Sequence, residues 1–282
     1  MISKNKILYG YFFILFSVIP ISIVVGSAVS LANILLIDLS FIILLLYTKE
    51  FYFLKNKTII IILLFCLYLI FNSLISQDFS IGATRNFGYI RFLVLFVAFN
   101  YFFYKNKYFN KILIIWALSL FIICLDVYFE SYFKKNILGY GGPDVAFRIV
   151  SFFKDEPIVG GYINAFYLMI AGYFFLIFKD YPKKYKSLFL VVTIILLISI
   201  LLTGERSSAI KALIGFLLFY FLNKNFALGE KIISIILMIT LISGLILSSD
   251  FLKLKYFHQE TFQININENK YFRLYRSGLS IF

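Results

Sequence analysis

The feature that most constrains this chain is the recurrence of apolar runs, the longest of which match the ~18–20 residues a helix needs to cross a bilayer. Nine can be marked off, at residues 7–25, 32–47, 58–75, 87–104, 112–129, 158–178, 188–202, 207–222 and 232–247. Short polar or lysine-bearing connections separate them. With 62% hydrophobic and 15% charged residues in 282, no soluble interior could bury this many greasy segments. The expected fold is therefore all-α, a polytopic transmembrane helix bundle of about nine spans. Residues 1–247 form the helical domain, with a loop at 130–157, and residues 248–282 begin a further polar loop. The opening stretch resembles a signal peptide, but its apolar part is long and many spans follow, so a retained first helix is expected.

Charge placement sets the orientation. Lys4 and Lys6, then Lys49, Lys55 and Lys57, Lys105, Lys107 and Lys111, Lys179, Lys183, Lys184 and Lys186, and Lys224 and Lys231 fall at the N-terminus and after the even-numbered spans, with no arginine among them. Positive residues in short loops mark the cytoplasmic side. This puts the N-terminus inside and the loops at Arg85, Arg148 and Arg206, with the tail, outside. A net charge of +13 is thus read as orientation, and nucleic acid is not expected as a partner.

The arginines behave differently. Arg85, Arg91, Arg148, Arg206, Arg273 and Arg276 all lie in outward segments or near outward helix ends, where orientation does not require them. Guanidinium offers a rigid fork of donors suited to phosphate or carboxylate, whereas lysine is a point charge. Contact with lipid headgroups is the plain alternative for each. The spans that start near Arg85, Glu156-Pro157 and Arg206 point helix N-termini at the same side, and such ends attract anions. Pro157 suits a first helical position, and Ser207 an N-cap. If these ends converge, Arg148, Arg206, Arg85, Arg91 and Lys154 form one anion site at the outer face.

Carboxylates accompany them. Asp155, Glu156 and Glu205 are candidates for a general base or for ion-pair partners of the arginines, and Asp126 lies near the outer end of the fifth span. Asp38 sits inside the second span, where a carboxylate needs a partner. Cys66 and Cys124 lie inside apolar runs with no second ligand near them, which disfavours disulfide or metal roles. His258, the only histidine, reads as incidental in a polar tail segment. Phe272, Tyr275, Leu279 and Phe282 recur at helical spacing, as in a helix lying at an interface, and the chain stops inside that pattern, as a truncated protein would. No phosphate loop, zinc spacing or nucleophile elbow is present, so no cofactor is expected.

The pattern Arg148-x-x-Ser151-Phe152-Phe153-x-Asp155-Glu156-Pro157-x-x-x-Gly161-Tyr162, followed by Leu202-Thr203-Gly204-Glu205-Arg206-Ser207 opening a span, resembles the O-antigen ligase and polymerase family. Arg273, Ser277, Gly278, Ile281 and Phe282 are similar to the start of that family's large periplasmic loop. The resemblance implies a bacterial inner-membrane glycosyltransferase working at the periplasmic face. It would take a glycan from an undecaprenyl-pyrophosphate carrier and pass it to a sugar hydroxyl, on lipid A-core or on a growing polysaccharide. Arg148 and Arg206 would hold the pyrophosphate, and an activated carrier needs no nucleotide sugar. The family's loop continues into a histidine-bearing region and further spans, and His258 does not match that histidine. The rival reading is a transporter or flippase for a lipid-linked anion. That function should place charge near mid-membrane in broken helices, and Asp38 is the residue that favours it.

Overall fold

The computed structural model describes residues 6–51, 56–76, 79–103, 107–142, 148–154, 156–178, 183–223, 226–253 and 276–277. Among them there is no strand. Eleven helices follow one another: α1 (Lys6–Val25), α2 (Ser27–Thr48), α3 (Lys57–Leu74), α4 (Phe79–Gly88), α5 (Ile90–Phe103), α6 (Lys107–Phe133), α7 (Val159–Phe178), α8 (Lys183–Leu202), α9 (Arg206–Leu222), α10 (Leu228–Ser248) and the short α11 (Asp250–Lys253). Within the described residues, each of the nine apolar runs is mostly helical. Six helical stretches are long and apolar enough to cross a membrane: Ile7–Val25, Ser27–Thr48, Lys57–Leu74, Gly82–Phe103, Tyr108–Phe133 and Leu228–Ser248. Val159–Phe175 and Leu190–Leu202 are shorter apolar helices, so among the described residues length and composition mark six candidate spans where the sequence suggests about nine. Exposed apolar faces run along these helices, such as Leu35, Leu39, Ile43 and Leu46 on α2 and Ile61, Leu64, Tyr68 and Phe71 on α3. Water would penalise such stripes and lipid does not. The protein is a multi-pass membrane protein.

The chain forms two compact units, Met1–Ile122 and Ile123–Phe282. In the first, α1 and α2 join through Gly26 alone. Its φ of 149° belongs to a region open to glycine, and this lets α2 start at Ser27, five residues before the apolar run itself. α1 continues through Pro20. Rings fill the interior: Phe12 stacks on Phe102 at 4.0 Å, Phe16 meets Phe103 edge-on at 5.3 Å, and Trp116 donates its indole N–H to the Phe16 carbonyl at 2.9 Å. The run expected as one span at 87–104 is broken: α4 ends at Gly88 and α5 begins at Ile90. At the break the backbone bonds tighten to i→i−3, Tyr89 N–H to the Asn86 carbonyl (3.2 Å) and Phe92 N–H to the Tyr89 carbonyl (3.0 Å), while the Asn86 amide ties α4 to α3 by donating to the Leu69 carbonyl (3.1 Å) and Ser73 Oγ (2.7 Å).

In the second unit α7 packs on α8 and α9, with Tyr167, Phe216 and Tyr220 fully buried. Gly215 lies so close to Leu168 that a Cβ there would come within 2.6 Å of Leu168 Cδ1. Lys231 caps the end of α9 by donating from Nζ to the Phe221 carbonyl at 2.9 Å. Of the tail, Arg276 and Ser277 are exposed and helical; Arg273, His258 and most of the proposed interfacial helix lie outside the described residues.

Candidate functional site

The site begins at the end of α6. Asp126 and Glu130 are four residues apart and therefore share one helical face; they are 0% and 3% exposed. Two buried carboxylates must be hydrogen-bonded, and the returning loop satisfies both. The chain leaves α6 at Lys134, whose φ of 65° closes the helix in the left-handed conformation, its N–H reaching the Glu130 carbonyl at 2.8 Å. Asn136 then makes a tight turn, its Oδ1 accepting from the N–H groups of Leu138 (3.0 Å) and Tyr140 (2.7 Å).

Asp126 Oδ1 accepts the Ile137 N–H at 3.0 Å, and Oδ2 accepts the Ser151 hydroxyl at 2.6 Å. Glu130 accepts the Val150 N–H at 3.1 Å and the Ser151 N–H at 2.6 Å. Asn136 Nδ2 donates to the Ser151 carbonyl at 2.5 Å. Ser151 is thus gripped at its amide, hydroxyl and carbonyl. That grip holds a non-glycine residue at φ +49°, a conformation that persists only where the surroundings over-determine it. A 3₁₀ turn, Ser151–Phe153, follows, and Lys154 beyond it also has positive φ, 58°. Arg148, Lys154 and Glu156 on either side of this turn are exposed.

The turn lies on the start of α7, where the Phe153 ring meets Tyr162 with centroids 5.3 Å apart. The α8–α9 turn reaches the same end. Gly204 (φ +74°) stops α8, and Glu205 serves two helices at once. Its Oε1 accepts the Gly160 N–H of α7 at 2.8 Å, while Oε2 accepts the Ser208 hydroxyl of α9 at 2.9 Å. Gly160 is required there because a Cβ would fall 2.6 Å from Thr203 Oγ1 and 2.9 Å from Glu205 Cδ. Arg206, half-buried, opens α9.

Several sequence expectations change. Glu205, not Ser207, occupies the N-cap position of α9, and α7 starts at Val159, so Pro157 precedes the helix. The N-terminus of α7 already holds an anion, the Glu205 carboxylate, which an N-terminal dipole favours. Of the residues expected to bind or react, Arg148, Lys154, Glu156, Glu205 and Arg206 come from segments meeting the beginning of α7. Arg85 is exposed on α4, and Arg91 lies within the candidate span Gly82–Phe103; both belong to the first unit. Asp155 lies outside the described residues. Glu130, Asn136 and Gly160 belong to the site without being among the sequence candidates. The Asp-x-x-x-Glu spacing near the end of an apolar run, impossible to leave in lipid unsatisfied, was the available signal for Glu130; nothing marked Asn136 as the partner of Ser151.

Chemically, the arrangement offers an exposed guanidinium and ammonium on a rigid turn, a second guanidinium at the adjoining helix start, and an exposed carboxylate, Glu156. Asp126, Glu130 and Glu205 are engaged in holding the scaffold. No family model, curated protein or solved structure matches the chain.

Proposed function

We propose that this end of the second unit binds a diphosphate and that the protein transfers a glycan from an undecaprenyl-pyrophosphate carrier to a sugar hydroxyl, as the resemblance to O-antigen ligases and polymerases implies. The site then faces the periplasm, with the protein in the bacterial inner membrane and its N-terminus in the cytoplasm. The observation carrying this reading is the placing of Arg148 and Arg206 on two clamped turns that meet at the start of α7. Arg148, Arg206 and Lys154 hold the pyrophosphate, and charge growing on the leaving pyrophosphate is stabilised by fixed cations. Glu156 or Asp155 takes the proton of the acceptor hydroxyl. Glu205, named with them on sequence grounds, serves better as the residue that positions Arg206, since both its oxygens accept hydrogen bonds.

The test is transfer from an undecaprenyl-pyrophosphate-linked glycan by the full chain reconstituted in lipid. Arg148→Lys and Arg206→Lys should each lower the rate by about 10²-fold, the scale for losing one fixed donor at developing charge. Rates equal to that of the parent in both variants would remove the arginines from the mechanism. A second reading, transport of a lipid-linked anion, is favoured by one observation: in the first unit, Asp38 and Arg91 lie inside candidate spans, and α4 and α5 are interrupted beside Arg91.

A further inference from the structure

Asp38 lies half-way along α2, about 15 Å from either end at 1.5 Å per residue. It is 4% exposed, and neither carboxylate oxygen has a hydrogen-bond partner among the described residues. Its neighbours on the same face, Ile37 and Phe41, are buried, and Phe41 packs on Tyr101 and Phe102 of α5. An isolated carboxylate so placed is among the costliest groups a membrane helix can carry. Among the described residues, α5, which packs on α2, supplies one opposing charge. Arg91 stands in the first turn of α5, just after the break at Tyr89, and its Nε is likewise buried without a hydrogen-bond partner. Its guanidinium carbon sits 4.8 Å from the Phe92 ring centroid, outside salt-bridge contact with the carboxylate. The other titratable groups on the elements around α2 are Lys6, Tyr9 and Tyr11 of α1, the last bonded to Ser40 at 2.9 Å, Tyr101 of α5, bonded to Glu50 at 2.5 Å, and Lys57, Cys66 and Tyr68 of α3.

We propose that Asp38 and Arg91 form a proton-binding site within the first unit: Asp38 takes up and releases a proton, and Arg91 is the counter-charge of its ionised form. A neutral Asp38 meets the low-dielectric surroundings without hydrogen bonds, while an ionised one is tolerated through Arg91 across the α2–α5 contact. The two states therefore differ in how strongly the break between α4 and α5 is tethered to α2. This assigns Arg91 to Asp38 rather than to the pyrophosphate set expected from the sequence, and its test needs no glycan.

The test is reaction of the full chain in membrane vesicles with dicyclohexylcarbodiimide, which adds to protonated carboxyls in apolar surroundings, with the adduct located by peptide mass spectrometry. Asp38 should be modified, and the fraction modified should fall as the pH is raised, because only the protonated carboxyl reacts. In Arg91→Gln the modification should persist about one pH unit higher, because the carboxylate has lost its counter-charge, whereas Arg91→Lys keeps the parent profile. Absence of any adduct at Asp38 while other carboxyls react overturns the proposal, as does a profile that Arg91→Gln leaves unmoved. If Arg91→Gln fails to reach the membrane, the parent decides alone, since pH-independent modification of Asp38 also overturns it.

Discussion

Glu205 and Glu130 show how far a residue's role can depart from its chemistry class. Both are carboxylates beside basic residues, and both spend their oxygens on the protein's own donors. Charge-assisted bonds of this kind contribute about 1.5–3 kcal/mol each, so removing the acceptor costs more than removing the charge. Glu130→Ala should leave the Val150 and Ser151 amides unsatisfied and loosen the turn that carries Arg148, raising their hydrogen exchange by about 10-fold or more, as ~2 kcal/mol implies. Glu130→Gln, which retains an acceptor oxygen, should raise it less. Equal exchange in both variants and the parent would show that Glu130 does not hold the turn. Ser151 illustrates the limit of reading such a turn from sequence. Its positive φ is imposed by Asp126, Glu130 and Asn136, 15 to 25 residues away in sequence, and no local pattern announces it.

At the scale of elements, apolar length located the helices well: the run at 58–75 is α3, Lys57–Leu74, and that at 232–247 is α10, Leu228–Ser248. Their ends and breaks depended on tertiary partners. The division of α4 from α5 lies at a short i→i−3 turn through Tyr89, and the early start of α2 follows Gly26; hydropathy registers neither. The contact of α7 with the α8–α9 turn is equally non-local. Gly160→Ala should push those elements apart and cost about 1–3 kcal/mol, the usual penalty for overpacking, read as a lower melting temperature of the purified protein. Gly172→Ala, on α7 with nothing within 4 Å of an added Cβ, should be neutral or stabilise by up to about 1 kcal/mol. Comparable losses in the two variants would mean that the close approach at Gly160 does not matter.

For the whole molecule, the proposed orientation rests on the lysines at the N-terminus and after the even-numbered apolar runs, and it puts the arginine-bearing turns on the opposite side. This orientation predicts that Lys154→Cys is labelled in intact cells by a membrane-impermeant maleimide, and that Lys49→Cys is labelled only after permeabilisation. Cys66 and Cys124 are free and buried, so the background is low. Labelling of both sites from the same side would contradict the orientation. The most direct measurement of the central claim is the affinity of the full chain in nanodiscs for undecaprenyl pyrophosphate and for undecaprenyl monophosphate. The account predicts tighter binding of the diphosphate, a preference that drops by about tenfold, ~1.4 kcal/mol, in each of Arg148→Lys and Arg206→Lys, and no such drop in Arg276→Lys. Equal affinity for the two lipids, or a preference untouched by either substitution, would contradict it.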